Sequence, residues 1–144
     1  MTEQSPNVAV WSAAKDYVES AEILLDYNRL QSAVVMSALA IEVLLKAFLA
    51  KREGPWVAET EHGHPHLDLF KKLSNEDRQH LGKYFDQESA GMSLMEGLQK
   101  FSRLFVDLRY PYETNAPRSY GSEVVYFARA LCDSVYNLGM ARQA

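Results

Sequence analysis

Apolar residues recur at three- and four-residue spacing along most of the chain, the period of an amphipathic helix. Val10, Ala14, Tyr17, Ala21, Leu24 and Leu25 share one side, while Lys15, Asp16, Glu19 and Glu22 fall mostly elsewhere. This predicts a helix from about Val8 to Asn28. Asn28 to Gln31 is a short connection, and short helix–helix connections imply antiparallel neighbours. The next segment, Ser32 to Lys51, is different. It lacks Gly and Pro and is apolar on almost every side, which predicts the central helix of a bundle. It is long enough to span a bilayer. Glu42 and Lys46 argue against that, because charges at mid-membrane are costly and the other segments are amphipathic.

Glu53-Gly54-Pro55 stops this helix and opens a long loop over residues 53–64. Pro65 then suits the first position of a short helical stretch, HLDLFKKL, with Leu67, Leu69, Phe70 and Leu73 as its apolar side. Ser74 with Asp77 resembles a capping box and starts a helix over about Asn75 to Gln87. Gly91 interrupts the chain. Ser93-x-x-Glu96 is a full capping box for a helix from Leu94 to Tyr110, with Leu94, Leu98, Phe101, Phe105 and Leu108 as its seam. Pro111 disfavours helix at Tyr110. Residues 111–119 form a second loop. Ser122 caps a last helix, Glu123 to Leu138, with Val124, Ala128, Leu131, Val135 and Leu138 inward and Gly139 as the expected stop. No stretch alternates over strand length, so the fold class is all-α: a five-helix up-and-down bundle with one short extra helical turn after the first long loop.

At 144 residues the chain is expected to form one domain, 1–144, with a sizeable core. Its net charge of −4 leaves no global basic field, although a local patch can still contact RNA. The N-terminus lacks a basic and apolar leader. The single cysteine, Cys132, fits a reducing compartment, so a cytoplasmic location is expected, with no membrane partner. Cys132 falls within an apolar helical pattern, which favours a buried structural thiol over a nucleophile.

Three constellations could carry chemistry. Glu42 and Lys46 stand at i and i+4, acid first, the favourable order for an ion pair. Val35 and Leu39 project onto the same side, so the pair interrupts an apolar face. It is either a partly buried structural bridge or a lining of a cleft. Arg109-Tyr110-Pro111-Tyr112-Glu113 offers a planar cation beside two stacking surfaces, suited to phosphate and base recognition. The simpler reading is a helix-end Arg109 pairing with Glu113. His62, His64 and His66 lie on a loop running into Pro65, and no second Cys or His cluster supports them. A solvated loop is expected there, with one histidine capping the short helix or facing a cleft, and no metal or cofactor. No P-loop, GxGxxG, HExxH or GxSxG motif is present.

Three stretches together resemble the HEPN superfamily of helical nucleotide-binding domains. ALAIEVLLKAFLAKREG is similar to its apolar second helix. GHPHLDLFKKLSNEDRQHL resembles its loop histidine followed by Leu and Phe anchors, with His64 at the histidine position. FVDLRYPYE is similar to the Arg-Tyr-x-Tyr-Glu helix-four ending of one branch. The resemblance implies a homodimer with a cleft at its interface where Arg109 gathers. Many members are metal-independent RNases carrying Arg, four to six residues, then His. Here the corresponding positions are Thr114, Asn115 and Ala116.

Three functions stay open. The first is a non-catalytic or weakly catalytic domain binding a nucleotide or RNA through Arg109, Tyr110, Tyr112 and Glu113, with Glu42, Lys46 and His64 lining the same cleft. The second is an endoribonuclease of toxin or phage-defence type, with Arg109 and His64 catalytic. The third is an interaction module for a nucleotidyltransferase or antitoxin partner.

Overall fold

The structure, a computed structural model, describes residues 5–50, 66–88, 90–102 and 121–143. Six helices are defined there and no strand among the described residues: α1 (Val8–Asp26), α2 (Leu30–Leu49), α3 (His66–Lys71), α4 (Asn75–Asp86), α5 (Leu94–Phe101) and α6 (Glu123–Gln143). The all-α bundle and the short extra helix match the pattern of apolar positions.

Asn7 starts α1. Its side chain accepts from the Val10 amide at 3.1 Å, and its own N–H donates to the Ala47 carbonyl at 2.8 Å. The cap of α1 is thereby fastened to the far end of α2, and the two helices run antiparallel. The reversal between them is shorter than the sequence suggested, because Asn28 adopts φ 60°. Asparagine tolerates this left-handed conformation better than most residues. The Arg29 amide reaches back to Leu24 O at 2.8 Å, so α2 begins at Leu30 and not Ser32.

By length and composition α2 could cross a membrane, with a mean hydropathy of 2.0. Its apolar surface is largely taken up in the bundle: Ala33, Val34, Ala38, Ile41, Leu44 and Leu45 are buried against neighbouring helices. Ser37, also buried, donates to the Ala33 carbonyl at 2.9 Å, which satisfies its hydroxyl within the helix. On the outward side Val35, Met36, Val43 and Leu49 are only partly covered.

Helix α6 lies against both members of the hairpin. Trp11 donates its indole N–H to Cys132 O at 3.1 Å. Arg129 forms a two-pronged bond to Glu22, at 2.9 Å from Nε and 2.5 Å from Nη2. The expected seam residues Val124, Ala128, Leu131, Val135 and Leu138 are all buried. The expected stop at Gly139 is corrected: α6 continues to Gln143. A glycine inside a helix costs roughly 1 kcal/mol relative to alanine. Here that cost is opposed by contacts beyond it, notably Arg142 Nη2 on Asp77 Oδ1 at 2.7 Å.

Of each expected capping box, at Ser74 and Ser93, the serine arm forms. Each hydroxyl accepts the amide three residues on, Asp77 and Glu96, at 3.1 Å. Gly91 has φ 83°, the left-handed conformation that interrupts the chain before α5. Helix α5 packs on α6 by close approach at Gly97. A Cβ there would sit 1.9 Å from Cε2 of Phe127. The Phe127 ring is held between Phe85, centroid 5.0 Å away, and Phe101, at 5.4 Å. Leu94, Leu98 and Phe101 of the expected α5 seam are buried. Phe105, Leu108 and the remainder of that predicted helix to Tyr110 lie outside the described residues.

Candidate functional site

Of the residues singled out in the sequence, Glu42, Lys46, His66 and Cys132 are described. Arg109, Tyr110, Tyr112, Glu113, His62 and His64 lie outside the described residues. The site is therefore built from α2 and what packs beside it.

Lys46 Nζ lies 3.7 Å from Glu42 Oε1, and the two side chains are 8% and 14% exposed. The pair is nearly buried, on a helix whose other faces are apolar. The separation is longer than the 2.7–2.9 Å typical of a charge-assisted hydrogen bond. Two charges held out of water at that distance stabilise a fold weakly, since desolvation offsets much of their attraction. Ala38, Glu42 and Lys46 follow one another at four-residue steps, so they share one stripe of α2.

A histidine joins that stripe from another helix. His66, the first residue of α3, is 2% exposed, and its Nε2 lies 2.9 Å from the Ala38 carbonyl. A carbonyl oxygen only accepts, so the imidazole proton sits on Nε2. Ala38 O also receives the Glu42 amide within α2, as helix geometry requires. Among the described residues Nδ1 is buried without a hydrogen-bond partner, although the Phe101 carbonyl bears on the ring. Burial lowers the pKa of His66 to about 4, and the Ala38 and Phe101 carbonyls oppose only part of that change. The ring is therefore neutral at physiological pH.

The backbone at this point ties a third helix in. The Leu67 amide donates to Ser102 Oγ at 3.3 Å, and the His66 amide to Ser102 O at 3.4 Å. Ser102 is the C-terminal cap of α5 and the last described residue before the stretch containing Arg109. The structure thus brings Glu42 and Lys46 onto one face of α2, and joins α2, α3 and the end of α5 through His66.

For His66 the solvated-loop expectation is corrected: it is a buried tie between helices. The signal was present, because His66 precedes Leu69, Phe70 and Leu73 by three, four and seven residues and so shares their buried face. Cys132 is the buried thiol expected, with burial pushing its pKa up to about 11.

Comparison with known proteins agrees with this architecture. No curated protein and no solved structure matches the chain significantly. The family profile described as HEPN domain matches residues 8–138, from the first residue of α1 into the last turns of α6. With that span covered, the chain belongs to the HEPN domain family.

Proposed function

We propose that this domain binds a nucleotide or an RNA at a cleft formed by the Glu42–Lys46 stripe and the segment carrying Arg109, with little or no catalysis. The observation that carries the reading is the nearly buried, loosely closed Glu42–Lys46 pair. A lysine in that setting keeps donor capacity that a phosphate or hydroxyl can use, while Glu42 fixes its position. Arg109 supplies a forked cation for phosphate, and Tyr110 and Tyr112 supply stacking surfaces for bases. The absence of histidine at positions 114–116 argues against hydrolysis as the main role.

The test compares wild type, Arg109→Ala, Lys46→Met and His64→Ala for binding and cleavage of labelled RNA and nucleotides in EDTA. Binding that weakens at least tenfold in Arg109→Ala and Lys46→Met, without cleavage, is the expected outcome. Cleavage abolished by both Arg109→Ala and His64→Ala would replace this reading with a metal-independent ribonuclease.

A second reading, as an interaction module, draws on a separate surface. Val8, Tyr136 and Met140 are 62%, 48% and 50% exposed, beside an apolar cleft of about 210 Å³ that also includes Pro6 and Trp11. Aromatic and methionine side chains around a cleft suit a protein partner. That partner is a second copy of the chain, a nucleotidyltransferase or an antitoxin. Met140→Asp should abolish such association while leaving RNA binding unchanged.

A further inference from the structure

A second pocket, of about 170 Å³, opens where α4 runs beside the last turns of α6. His80, Lys83, Tyr84, Leu138, Ala141 and Arg142 line it. The chain as a whole carries a net charge of −4, yet none of these six residues is acidic. Its polar lining is dominated by donors: a guanidinium, an ammonium, a phenol and an imidazole.

Arg142 is the fixed element. Its side chain is 7% exposed, and Nη2 bonds Asp77 Oδ1 at 2.7 Å and His80 Nδ1 at 3.2 Å. A guanidinium can only donate, so His80 Nδ1 accepts and the ring proton is on Nε2. Lys83 is exposed and forms no ion pair among the described residues, so it can turn toward the pocket. Tyr84 is only partly exposed and adds a hydroxyl.

We propose that this pocket binds a phosphate dianion, either free or as the terminal group of a nucleotide. Arg142 and Lys83 provide the charge, and the His80 ring and the Tyr84 hydroxyl provide further donors. The volume is ample for a tetrahedral oxyanion, since about 10–15 Å³ of such space suffices for one water. Two effects oppose binding. Asp77 neutralises part of Arg142, and the C-terminal end of α6 carries roughly half a negative charge. None of the six lining residues belongs to the Glu42–Lys46 stripe.

The experiment is an NMR titration of the ¹⁵N-labelled full chain with inorganic phosphate, and separately with AMP, at constant ionic strength. Saturable shifts of the amides of residues 80–84 and 138–142 are expected, separate from any around Glu42, Lys46 and Arg109. Lys83→Glu, an exposed change whose retained folding is checked by Tm, should weaken them at least tenfold. Arg109→Ala should leave them unchanged, which separates this site from the proposed nucleotide cleft. Equal saturation by phosphate and AMP identifies a site for free phosphate, and tighter AMP binding a nucleotide terminus. Linear, unsaturated shifts, or unchanged binding in Lys83→Glu, would overturn the proposal.

Discussion

Acidification from about pH 7.5 to about pH 4.5 should cost the fold roughly 2.5 kcal/mol through His66 alone. In the folded chain its pKa is lowered from the ordinary value of 6.5 to about 4, because protonation would place a charge in a ring that is 2% exposed. The unfolded chain therefore takes up the proton first. The stability associated with the neutral ring is complete above pH 6.5, falls as the pH drops toward 4, and changes no further below that. A pKa difference of one corresponds to about 1.36 kcal/mol, so the full effect is about 3.4 kcal/mol, most of it reached by pH 4.5. Carboxylates also titrate at the low end of this window, so a reference protein is needed. His66→Gln keeps an N–H near the Ala38 carbonyl and does not titrate. It should lose about 1–2 kcal/mol at neutral pH and show a correspondingly flatter decline with acid. Urea unfolding followed by circular dichroism at four pH values measures both. If wild type and His66→Gln decline in parallel between pH 6.5 and 4.5, the buried neutral imidazole is refuted.

Other perturbations bear on the same architecture. Gly97→Ala should destabilise the domain by roughly 1–3 kcal/mol despite alanine's better helix propensity, since Phe127 is held by Phe85 and Phe101 and has little room to yield; thermal unfolding reads this directly. Glu42→Gln and Lys46→Met should each cost about 2–3 kcal/mol by leaving the other charge nearly buried without its partner, whereas the double variant should lose less than the sum of the two; denaturant midpoints measure all three. The Cys132 thiol, with a pKa of about 11, should resist thiol reagents in the native protein at pH 8 and react on unfolding.

The helices were legible because their apolar residues keep strict spacing and their serine caps sit at fixed offsets. Glu42 and Lys46 could be paired from sequence for the same reason: a four-residue step is a local property of one helix. What escaped depends on contacts between distant segments. Gly139 has the composition of a stop, and only the docking of Arg142 on Asp77, 65 residues earlier by their numbering, shows why the helix continues. Local spacing places His66 on the buried face of its short helix, but its tie to α2 shows only in the Ala38 carbonyl, 28 residues away, which accepts its proton. The Gly97 notch has no local sign either, since any helix tolerates an occasional glycine and its purpose lies in Phe127.

The latches on α6 have a kinetic consequence. The α1–α2 hairpin closes through near neighbours around Asn28, whereas the Trp11–Cys132 and Glu22–Arg129 bonds span 121 and 107 residues. Closing such long intervals is slow relative to local helix pairing. The hairpin can therefore assemble early, with α6 arriving last, and interactions absent from the transition state govern how fast the native protein opens. On that basis Arg129→Ala should accelerate unfolding while leaving the refolding rate nearly unchanged, so that the lifetime of the folded domain is set at its C-terminal helix.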